Sequence, residues 1–371
     1  MTEKDNNTVT LMAGGDIGPR VEPTDKIAEL ILPVLRQADL RFGQCERIYS
    51  ERGRSPQYLY GSGGEHPRLH PRMASIWESA GIEIISLASN HTMDWGPKPL
   101  LDTVDLFRSM GKHVIGVGRD AEEARKPAII ERNGVKIAFL AYCSVLRDGQ
   151  AAGQDKAGTR IITVPYEEDL EALREDIRKA KQQADVVVMS IHWGLHNVPK
   201  TICTYQPPVA HAAIDAGADL ILGHHAHCLK AVEVYKGKVC FYSIGNFMTS
   251  GAMGAQPKRL QHRDRGVLFS WNLIWFQADP ECLPPNGMYP FPSHCRKTMV
   301  AKAVIGKKGV EKVSFLPTFI NNQAQPYVVP PDDPKFQEIL EYTEWVSDQH
   351  PHKFRVEGNE VVVDTSLDVP T

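Results

Sequence analysis

Short runs of consecutive apolar residues alternate with stretches of helical apolar spacing over the first two thirds of the chain. The apolar runs predict strands at 9–13, 82–88, 113–117, 128–131, 135–142, 185–191, 219–222, 231–235 and 238–243. The stretches between them predict helices at 25–37, 68–80, 99–110, 166–183 and 206–216. Continuous apolar strands are typical of a sheet that is covered on both faces, so the pattern predicts a layered α/β fold. An Asn-Gly turn at 133–134 predicts a hairpin and therefore a mixed sheet.

The pattern changes near residue 250. Glycine and proline recur through 251–296, which predicts irregular loops around one apolar run at 266–276. Two further strands are predicted at 297–305 and 310–316, followed by a helix at 334–347 and a short charged tail. We therefore divide the chain into an α/β body, 1–250, and a C-terminal part, 251–371, that completes the sheet or walls the functional site.

The composition and net charge argue against several classes of function. The 371 residues include 42 Lys and Arg against 45 Asp and Glu, for a formal net charge of −3. This balance gives no general electrostatic reason to bind nucleic acid or an anionic membrane. The first residues are polar and the apolar run after them is short, so we expect no signal peptide, no membrane span and a cytoplasmic protein. Seven cysteines without CxxC spacing argue against a disulfide framework and a cysteine-rich zinc module.

Fourteen histidines are the unusual feature of the composition. Metal-capable side chains follow four predicted strands, and they are Asp16, Asn90 with His91 and Asp94, His192, and the group His224, His225 and His227. Loops at the carboxyl ends of strands in an open α/β sheet converge on one crevice, so these groups can meet there. Glu46 would be a fifth contributor. Imidazole, carboxylate and amide ligands suit a divalent ion such as zinc, manganese, iron or cobalt.

Each of these residues, taken alone, has an explanation that needs no metal. Asp16 would cap a helix or a turn, and His192 would be a hydrogen-bonded core histidine. Three closely spaced imidazoles beside a buried strand, however, are costly without partners. The ordered set predicts a centre for two divalent ions that share a bridging carboxylate, polarise a substrate oxygen and generate hydroxide near neutral pH.

Five segments resemble the CapA-like (poly-γ-glutamate capsule synthesis) family, in order and with similar spacing. They are GGDIGPR, SLASNHTMDWG, SIHWG, LILGHHAHCLKAVEVYKGK and CFYSIGNF. That family is related to the calcineurin-like metallophosphoesterases. The resemblance covers residues 8–250 and implies a four-layer αββα sandwich with a dinuclear metal centre, followed here by a C-terminal extension.

The resemblance also implies roles for individual residues. The implied metal ligands are Asp16, Glu46, Asn90, His192, His225 and His227. Of these, Glu46 would bridge both ions. His91 would act as the general acid or stabilise the transition state, with Asp94 beside it to orient or charge it. We expect His224 and Asn246 to support the ligands from behind.

Three departures from the family pattern surround the ligands. Residues 44–46 read Gln-Cys-Glu where the family commonly has Asn-Leu-Glu, residues 195–197 lack the usual acidic residue, and Lys230 replaces a common Gln. These changes spare the ligands, so we expect metal binding to be kept and substrate preference to have moved. Arg20, His196 and Lys230 are candidates to bind a small anionic substrate, and each also has a plain role in a loop or on the surface. The arginines of 47–54 are further candidates to line the cleft.

The sequence therefore predicts a dinuclear metal-dependent hydrolase in which metal-activated hydroxide cleaves an amide, lactam or lactone bond of a small carboxylated substrate. One alternative is a phosphomonoesterase or phosphodiesterase, because the same metal chemistry serves both. The other is a non-catalytic accessory protein in poly-γ-glutamate or capsule synthesis. The expected cofactors are two divalent ions, Mn, Zn, Fe or Co; neither nucleic acid nor membrane is an expected partner, and a homo-oligomer stays open.

Overall fold

Two large β-sheets make up the centre of the structure, a computed structural model that describes residues 7–53, 68–163, 166–251 and 288–367. The strands are β1 (Val9–Gly18), β2 (Leu40–Cys45), β3 (Ile84–Ser86), β4 (His113–Ile115), β5 (Val117–Gly118), β6 (Ala128–Arg132), β7 (Val135–Cys143), β8 (Gly158–Thr159), β9 (Val186–His192), β10 (Leu220–His224), β11 (Val232–Tyr235), β12 (Lys238–Phe241), β13 (Asn246–Thr249), β14 (Lys297–Gly306), β15 (Gly309–Ile320), β16 (Pro326–Val328), β17 (Phe354–Glu357) and β18 (Glu360–Val363).

The helices flank these sheets and complete a mixed α/β fold, as predicted. They are α1 (Asp25–Ala28), α2 (Leu32–Leu35), α3 (Ser75–Ser79), α4 (Pro97–Ser109), α5 (Ala121–Arg125), α6 (Glu167–Lys181), α7 (Gln206–Ala216) and α8 (Pro334–Ser347). Short 3-10 helices lie at Pro71–Ala74 and Ser293–Arg296. None of the helices in the described part of the chain combines the length and the apolar character needed to cross a membrane.

The first sheet has ten strands and the second has six. The path through the first is β17-β18-β15-β14-β1-β2-β3-β4, with β13 beside β1 and β16 beside β15. The second has the order β11-β12-β10-β9-β7-β6, and β5 pairs separately with β8. Both large sheets are mixed: β1, β2, β3 and β4 run parallel while β14 is antiparallel to β1. The predicted hairpin joins β6 to β7, with Asn133 and Gly134 at φ 51° and 71°.

Apolar side chains from both sheets share one core. Leu11 and Phe42 of the first sheet belong to the same buried cluster as Phe139 and Val188 of the second. Burying a side chain of this size stabilises the fold by about 1.5–3 kcal/mol. Contacts between strands far apart in sequence therefore hold the two sheets together.

The alternate residues of the same strands pack against helices instead. Met12, next to Leu11, lies in a second cluster with Trp77 of α3. Leu140, next to Phe139, lies in a third cluster with Leu173 of α6. This alternation follows from the two-residue repeat of a strand, which points successive side chains to opposite faces. Each sheet consequently has one face toward the shared core and one toward helices.

Several predicted elements differ in detail from the observed ones. The predicted helix 25–37 is two short helices, with Pro33 in the first turn of the second, and the predicted helix 68–80 is a 3-10 turn followed by α3. The predicted strand 113–117 is split into β4 and β5 at Gly116, whose φ is 82°. The apolar run 266–276 and most of the predicted loops around it lie outside the described residues.

Six strands lie where the sequence pattern gave no strand: β2, β8, β13, β16 and the two strands of the hairpin formed by β17 and β18. The hairpin replaces the predicted charged tail and extends the first sheet through β15. The strand β14 also joins this sheet by pairing with β1 along Val9 to Ala13. Residues from the C-terminal part thus belong to the same sheet as the N-terminal strand, while the division of the chain at 250 stays a prediction.

The strand order brings the candidate residues to one place. Asp16 lies near the end of β1 opposite Asn246 of the parallel strand β13. His192 and His224 end β9 and β10 and are paired in register. The backbones near Asp16 approach each other closely, because a Cβ on Gly15 would overlap the carbonyl oxygen of Gly245. Glycine at position 15 is therefore required by the packing of this strand end.

Candidate metal centre

Two buried carboxylates form the base of the centre. Asp16, near the end of β1, is 0% exposed, and Glu46, directly after the parallel neighbour β2, is 1% exposed. Together with His227, they offer three ligand atoms that all lie within 4.8 Å of one another. The Nδ1 atom of His227 is 3.2 Å from Oδ2 of Asp16. This group can hold a metal ion.

A second set of ligand-type atoms surrounds the ring nitrogen Nε2 of His192. This atom lies 2.8 Å from Oδ1 of Asn90 and 3.4 Å from Oε1 of Glu46. It also lies 3.1 Å from Nδ1 of His225. A neutral imidazole Nε2 carries at most one proton, so it can donate to only one of these three atoms. The convergence of amide, carboxylate and imidazole ligands is the pattern of a divalent metal site.

Several buried ligand-type atoms of this cluster have no hydrogen-bond partner in the described structure. Among them are Oδ1 of Asp16, both carboxylate oxygens of Glu46 and Nδ1 of His192. Burying a carboxylate without hydrogen bonds or a counter-charge is costly, and proteins normally compensate such charges with a partner or a metal. The donor set therefore fits divalent cations.

Burial and neighbouring charges shift the pKa values of these groups. Burial and the neighbouring charge of Asp16 raise the pKa of Glu46 to about 7. Burial and the neighbouring His225 hold the pKa of His192 well below 6.5, and burial with His227 does the same for His225. Burial alone would lower the pKa of His227, but the hydrogen bond and charge of Asp16 raise it. The neutral imidazoles of His192 and His225 have the lone pair that a metal ligand needs, whereas the raised pKa of His227 reflects the negative charge of the Asp16 carboxylate beside it.

The backbone at His225 and His227 is unusual. Both residues have left-handed conformations, with φ of 84° and 57°. Such a conformation costs a non-glycine residue about 1–3 kcal/mol and is concentrated at functional sites. It places the backbone N–H of His225 3.3 Å from Oδ2 of Asp16. The His-Ala-His turn after β10 thus holds the His227 imidazole against Asp16 and the His225 imidazole against His192, at the cost of backbone strain.

His91 and Asp94 lie at the side of this cluster. Nδ1 of His91 is 2.7 Å from Oδ2 of Asp94, and Nε2 of His91 is 3.2 Å from the side-chain amide of Asn90. Nε2 is also 3.9 Å from Oε2 of Glu46. The His91 side chain is 12% exposed, against 3% for Asp94. The imidazole therefore lies between a buried carboxylate and the ligand cluster.

Asn246 and His224 lie behind the ligands. Oδ1 of Asn246 lies 2.9 Å from Nδ1 of His227, and the Asn246 amide donates to the His227 carbonyl at 3.1 Å. The ring of His224 is stacked on Phe42 with centroids 5.7 Å apart, and its Nδ1 is 3.6 Å from Oδ1 of Asp16. Asn246 fixes both the ring and the backbone of His227, whereas His224 lies under Asp16.

The three predicted substrate-binding residues have different surroundings. The exposed ring of His196 lies at the edge of the cluster, 5.4 Å from the His225 ring and 6.3 Å from the His227 ring between centroids. Arg20 is half-buried, and its backbone N–H donates to Ser250 Oγ at 3.0 Å. The buried ammonium of Lys230 donates to the backbone carbonyls of residues 198 and 201. These contacts favour a structural role for Lys230, and they give its predicted substrate contact no support.

The remaining arginines of 47–54 are not equivalent. Arg52 donates from Nε to Oδ2 of Asp102 in α4 at 2.8 Å, and Arg54 lies outside the described residues.

Two aromatic neighbours of the cluster were not predicted from the sequence. The centroid of the Phe291 ring is 4.4 Å from that of the His227 ring, and Tyr289 Oη accepts a hydrogen bond from Asn246 at 2.7 Å. Both lie in a proline-rich segment without periodicity.

Several known proteins are similar in sequence to this chain. The PGA biosynthesis protein CapA of Bacillus subtilis is 32% identical over 227 residues, which cover 60% of this chain and 57% of that protein. The capsule biosynthesis protein CapA of Bacillus anthracis is 29% identical over 259 residues, 66% of this chain and 61% of that protein. A probable polyglutamine synthesis accessory protein of Mycobacterium tuberculosis is 29% identical over 184 residues, 48% of each chain.

The chain spans about three fifths of the length of the two Bacillus relatives. Among solved structures, GAP50, the anchor in the inner membrane complex of Plasmodium, covers 92% of this chain and 96% of its own at 10% identity, with a TM-score of 0.41 that supports no argument about function. The family described as bacterial capsule synthesis protein PGA_cap matches residues 10–250, more than half of the chain. The chain therefore belongs to this PGA_cap, or CapA-like, family.

Proposed function

We propose that this protein is a metal-dependent hydrolase whose centre binds two divalent cations and cleaves an amide, lactam or lactone bond of a small carboxylated substrate. The observation that carries the proposal is the pair of buried carboxylates, Asp16 and Glu46. Three of their four oxygens have no hydrogen-bond partner in the described structure. Two such charges so close together need cations to compensate them.

We also propose that the fold is the four-layer αββα sandwich of the calcineurin-like metallophosphoesterases. Two features support this assignment. One core cluster is shared by both sheets, and separate clusters join the outer face of each sheet to helices. The centre lies at the carboxyl ends of β1, β9 and β10, where ligands of open α/β sheets bind.

The ligands divide into two groups around Glu46. Asp16 and His227 would hold one cation, and Asn90, His192 and His225 would hold the other. Glu46 would bridge the two cations, because its oxygens face His192 at 3.4 Å and belong to the same close group as Asp16 and His227. When bound, such a pair of ions polarises the scissile bond and activates water near neutral pH. Zinc, manganese, iron and cobalt all suit this donor set.

His91 would move the proton in this reaction. Its Nδ1 donates to the Asp94 carboxylate, which fixes the ring and stabilises the imidazolium. Its Nε2 then faces the ligand cluster, where it would donate a proton to the leaving group. Asp94 is a positioning residue, because it acts on the substrate only through His91.

The substrate class follows from the surroundings of the cluster and from the relatives. His196 lies at the exposed edge of the centre and Arg20 follows Asp16 by four residues, which supports both as contacts for an anionic group. Two relatives are named for PGA or capsule biosynthesis. A small γ-glutamyl or similar carboxylated compound fits both observations. The cytoplasmic location and a homo-oligomer stay predictions.

Parallel assays would test the proposal. Purified protein supplied with manganese or zinc would be incubated with γ-glutamyl-p-nitroanilide, small lactams and lactones, 4-nitrophenyl phosphate and bis(4-nitrophenyl) phosphate. We expect metal-dependent cleavage of an amide, lactam or lactone that His91→Ala reduces at least a hundredfold. Cleavage of the phosphoesters alone would replace the proposal with a phosphoesterase. Absence of any metal-dependent hydrolysis would contradict catalysis and favour an accessory role, which is the role named for the mycobacterial relative.

A further inference from the structure

Arg47 places a nearly buried guanidinium beside the centre. Its side chain is 10% exposed, and Nη1 lies 3.8 Å from Oε2 of Glu46. Nη1 donates to the backbone carbonyl of Glu46 at 2.9 Å, which is the one hydrogen bond that this guanidinium makes to the described residues. The buried Nε has no acceptor there. The buried Nε–H is therefore unpaired, and Nη2 has no hydrogen-bond partner among the described residues.

This arrangement is costly for a group that stays charged. A guanidinium has five N–H donors and cannot be deprotonated in a protein. The carboxylate of Glu46 forms an ion pair with it but accepts no hydrogen bond, because 3.8 Å is too long for one, and the same carboxylate faces His192 at 3.4 Å. When Glu46 binds cations, still less of its charge is left for Arg47. A separate anion is the group that would satisfy the guanidinium.

The end of β1 forms a wall beside the Arg47 side chain. A Cβ on Gly18 would lie 3.2 Å from Cγ and 3.6 Å from Nε of Arg47, so the missing side chain leaves room for the arginine stem. Gly18 lies two residues from Asp16, and the backbone of Arg20, two residues further on, is tied to Ser250. The guanidinium is thus held between the end of β1 and the proposed ligand Glu46.

We propose that Arg47 forms an oxoanion subsite at the edge of the metal centre, where its unpaired N–H groups bind a carboxylate or phosphate group of the substrate. This inference rests on the proposed function, because the subsite selects the substrate for that centre. A planar guanidinium can hold either group through two parallel hydrogen bonds. Arg47 is a specificity-determining residue in this account, and it favours substrates with an anionic group near the scissile bond.

Calorimetric titration with two simple anions tests the subsite without measuring catalysis. Inorganic phosphate and glutarate would be titrated separately into the wild-type protein, Arg47→Gln, Arg47→Lys and the control Arg36→Gln, each with and without manganese. Arg36 is an exposed arginine of the same chain, next to α2. We expect Arg47→Gln to raise the Kd at least tenfold for one or both anions, Arg47→Lys to raise it less, and Arg36→Gln to leave it unchanged.

The two anions separate the sources of the oxoanion. Dependence of glutarate binding on Arg47 assigns the subsite to a substrate carboxylate, and dependence of phosphate binding alone assigns it to a phosphoryl group. Equal Kd values in wild type and Arg47→Gln overturn the subsite. Loss of metal from Arg47→Gln also overturns it, because Arg47 would then only position Glu46. If Arg47→Gln does not fold, the Kd of Arg47→Lys decides, and a wild-type value overturns the proposal.

The same experiment separates failure of the subsite from failure of the proposed function. A wild-type protein that takes up no metal contradicts the metal centre, yet the titrations without manganese still compare wild type with Arg47→Gln. A metal-binding, hydrolytically active protein whose anion binding ignores Arg47 contradicts only the subsite.

Discussion

Nδ1 of His91 lies 2.7 Å from Oδ2 of Asp94, within a single turn of the loop that follows β3. The side-chain amide of Asn90 lies 3.2 Å from the opposite ring nitrogen. The carboxylate therefore fixes both the orientation and the tautomer of the imidazole, with the proton on Nδ1 and Nε2 toward the ligand cluster.

Replacing Asp94 would test whether His91 acts in proton transfer. We expect Asp94→Asn to lower kcat of the metal-dependent hydrolysis about a hundredfold, because the imidazolium loses its stabilising charge. KM and metal content should change little, since Asp94 is not a proposed ligand. Steady-state kinetics with metal analysis of the same samples checks both. Asp332→Asn, at an exposed aspartate, is the matched control, and equal kcat values for the two variants would exclude this role of Asp94.

Gly15→Ala tests the close approach of the strand ends beneath the centre. The added Cβ would overlap the Gly245 carbonyl, and backbone atoms cannot move aside as a flexible side chain can. We expect the substitution to cost about 3 kcal/mol or more in the free energy of unfolding, measured by urea denaturation. Gly153→Ala is the control, because its Cβ would meet only the Lys156 Cβ at 3.4 Å. A Gly15→Ala protein as stable as the control would refute this packing requirement.

Lys230→Met distinguishes a structural lysine from a substrate-binding one. Its ammonium is bonded to the carbonyls of Val198 and Thr201, so its loss should loosen the loop that carries His196. We expect unfolding to become easier by about 1–3 kcal/mol and amides of 194–201 to exchange faster with deuterium. Lys200→Met, at a lysine paired with Asp348 at the surface, should have a smaller effect. Unchanged stability with a raised KM would instead support substrate binding by Lys230.

Long periodic segments and strand-end residues could be predicted from the sequence. The helices at 206–216 and 334–347 lie where apolar spacing placed them, because their buried faces follow a regular helical repeat. Asp16, Asn90, His192 and His225 come together because neighbouring strands end at the same edge of the sheets. The resemblance to the CapA-like family supplied the further prediction that Glu46 is the carboxylate that bridges the two ions.

The strand β2 could not be predicted because tertiary contacts override its local pattern. Arg41 breaks the apolar run, but its guanidinium is satisfied by the carbonyls of Leu35, Ala38 and Gly81. Gly43 weakens strand propensity, yet a Cβ there would lie 3.1 Å from the Trp77 ring. These partners lie up to 40 residues away, so a window of sequence does not contain them.

The C-terminal hairpin of β17 and β18 could not be predicted either, because it too depends on contacts with residues far away in the sequence. The sequence predicts only a short charged tail here, but Glu360 is 8% exposed and pairs with Lys302 at 2.6 Å and with Lys312 on the neighbouring strands. Charges that look solvated in the sequence are compensated across β14, β15 and β18. The sequence shows each charge, and only the fold shows its partner.

This ion cluster leads to a pH prediction. Burial alone would raise the pKa of Glu360, but the hydrogen bonds from Lys302 and Lys312 lower it below its ordinary value. A carboxyl with a lowered pKa in the folded protein stabilises it above the ordinary pKa near 4.5, and this contribution is lost as pH falls through the lowered value. We expect Glu360→Gln to cost about 1–3 kcal/mol at neutral pH, and less as the pH falls below about 4.5.

Urea denaturation of wild type and Glu360→Gln across this pH range measures that difference. The exposed Glu122→Gln is a suitable control, because Glu122 pairs with the nearby Lys126 at the surface and is 83% exposed. A stability difference between wild type and Glu360→Gln that stays constant from neutral to acid pH would show that the lysine contacts do not lower this pKa.

The metal content of the purified protein is the decisive measurement for the proposed two-cation centre. Protein equilibrated with manganese or zinc and freed of loosely bound ions would be analysed by mass spectrometry of the metal, beside Asp16→Ala, His225→Ala and the exposed-histidine control His113→Ala. The account predicts two ions per chain for wild type and His113→Ala, and clearly fewer for Asp16→Ala and His225→Ala. A wild-type protein that retains no metal, or variants at Asp16 and His225 that retain as much as wild type, would contradict it.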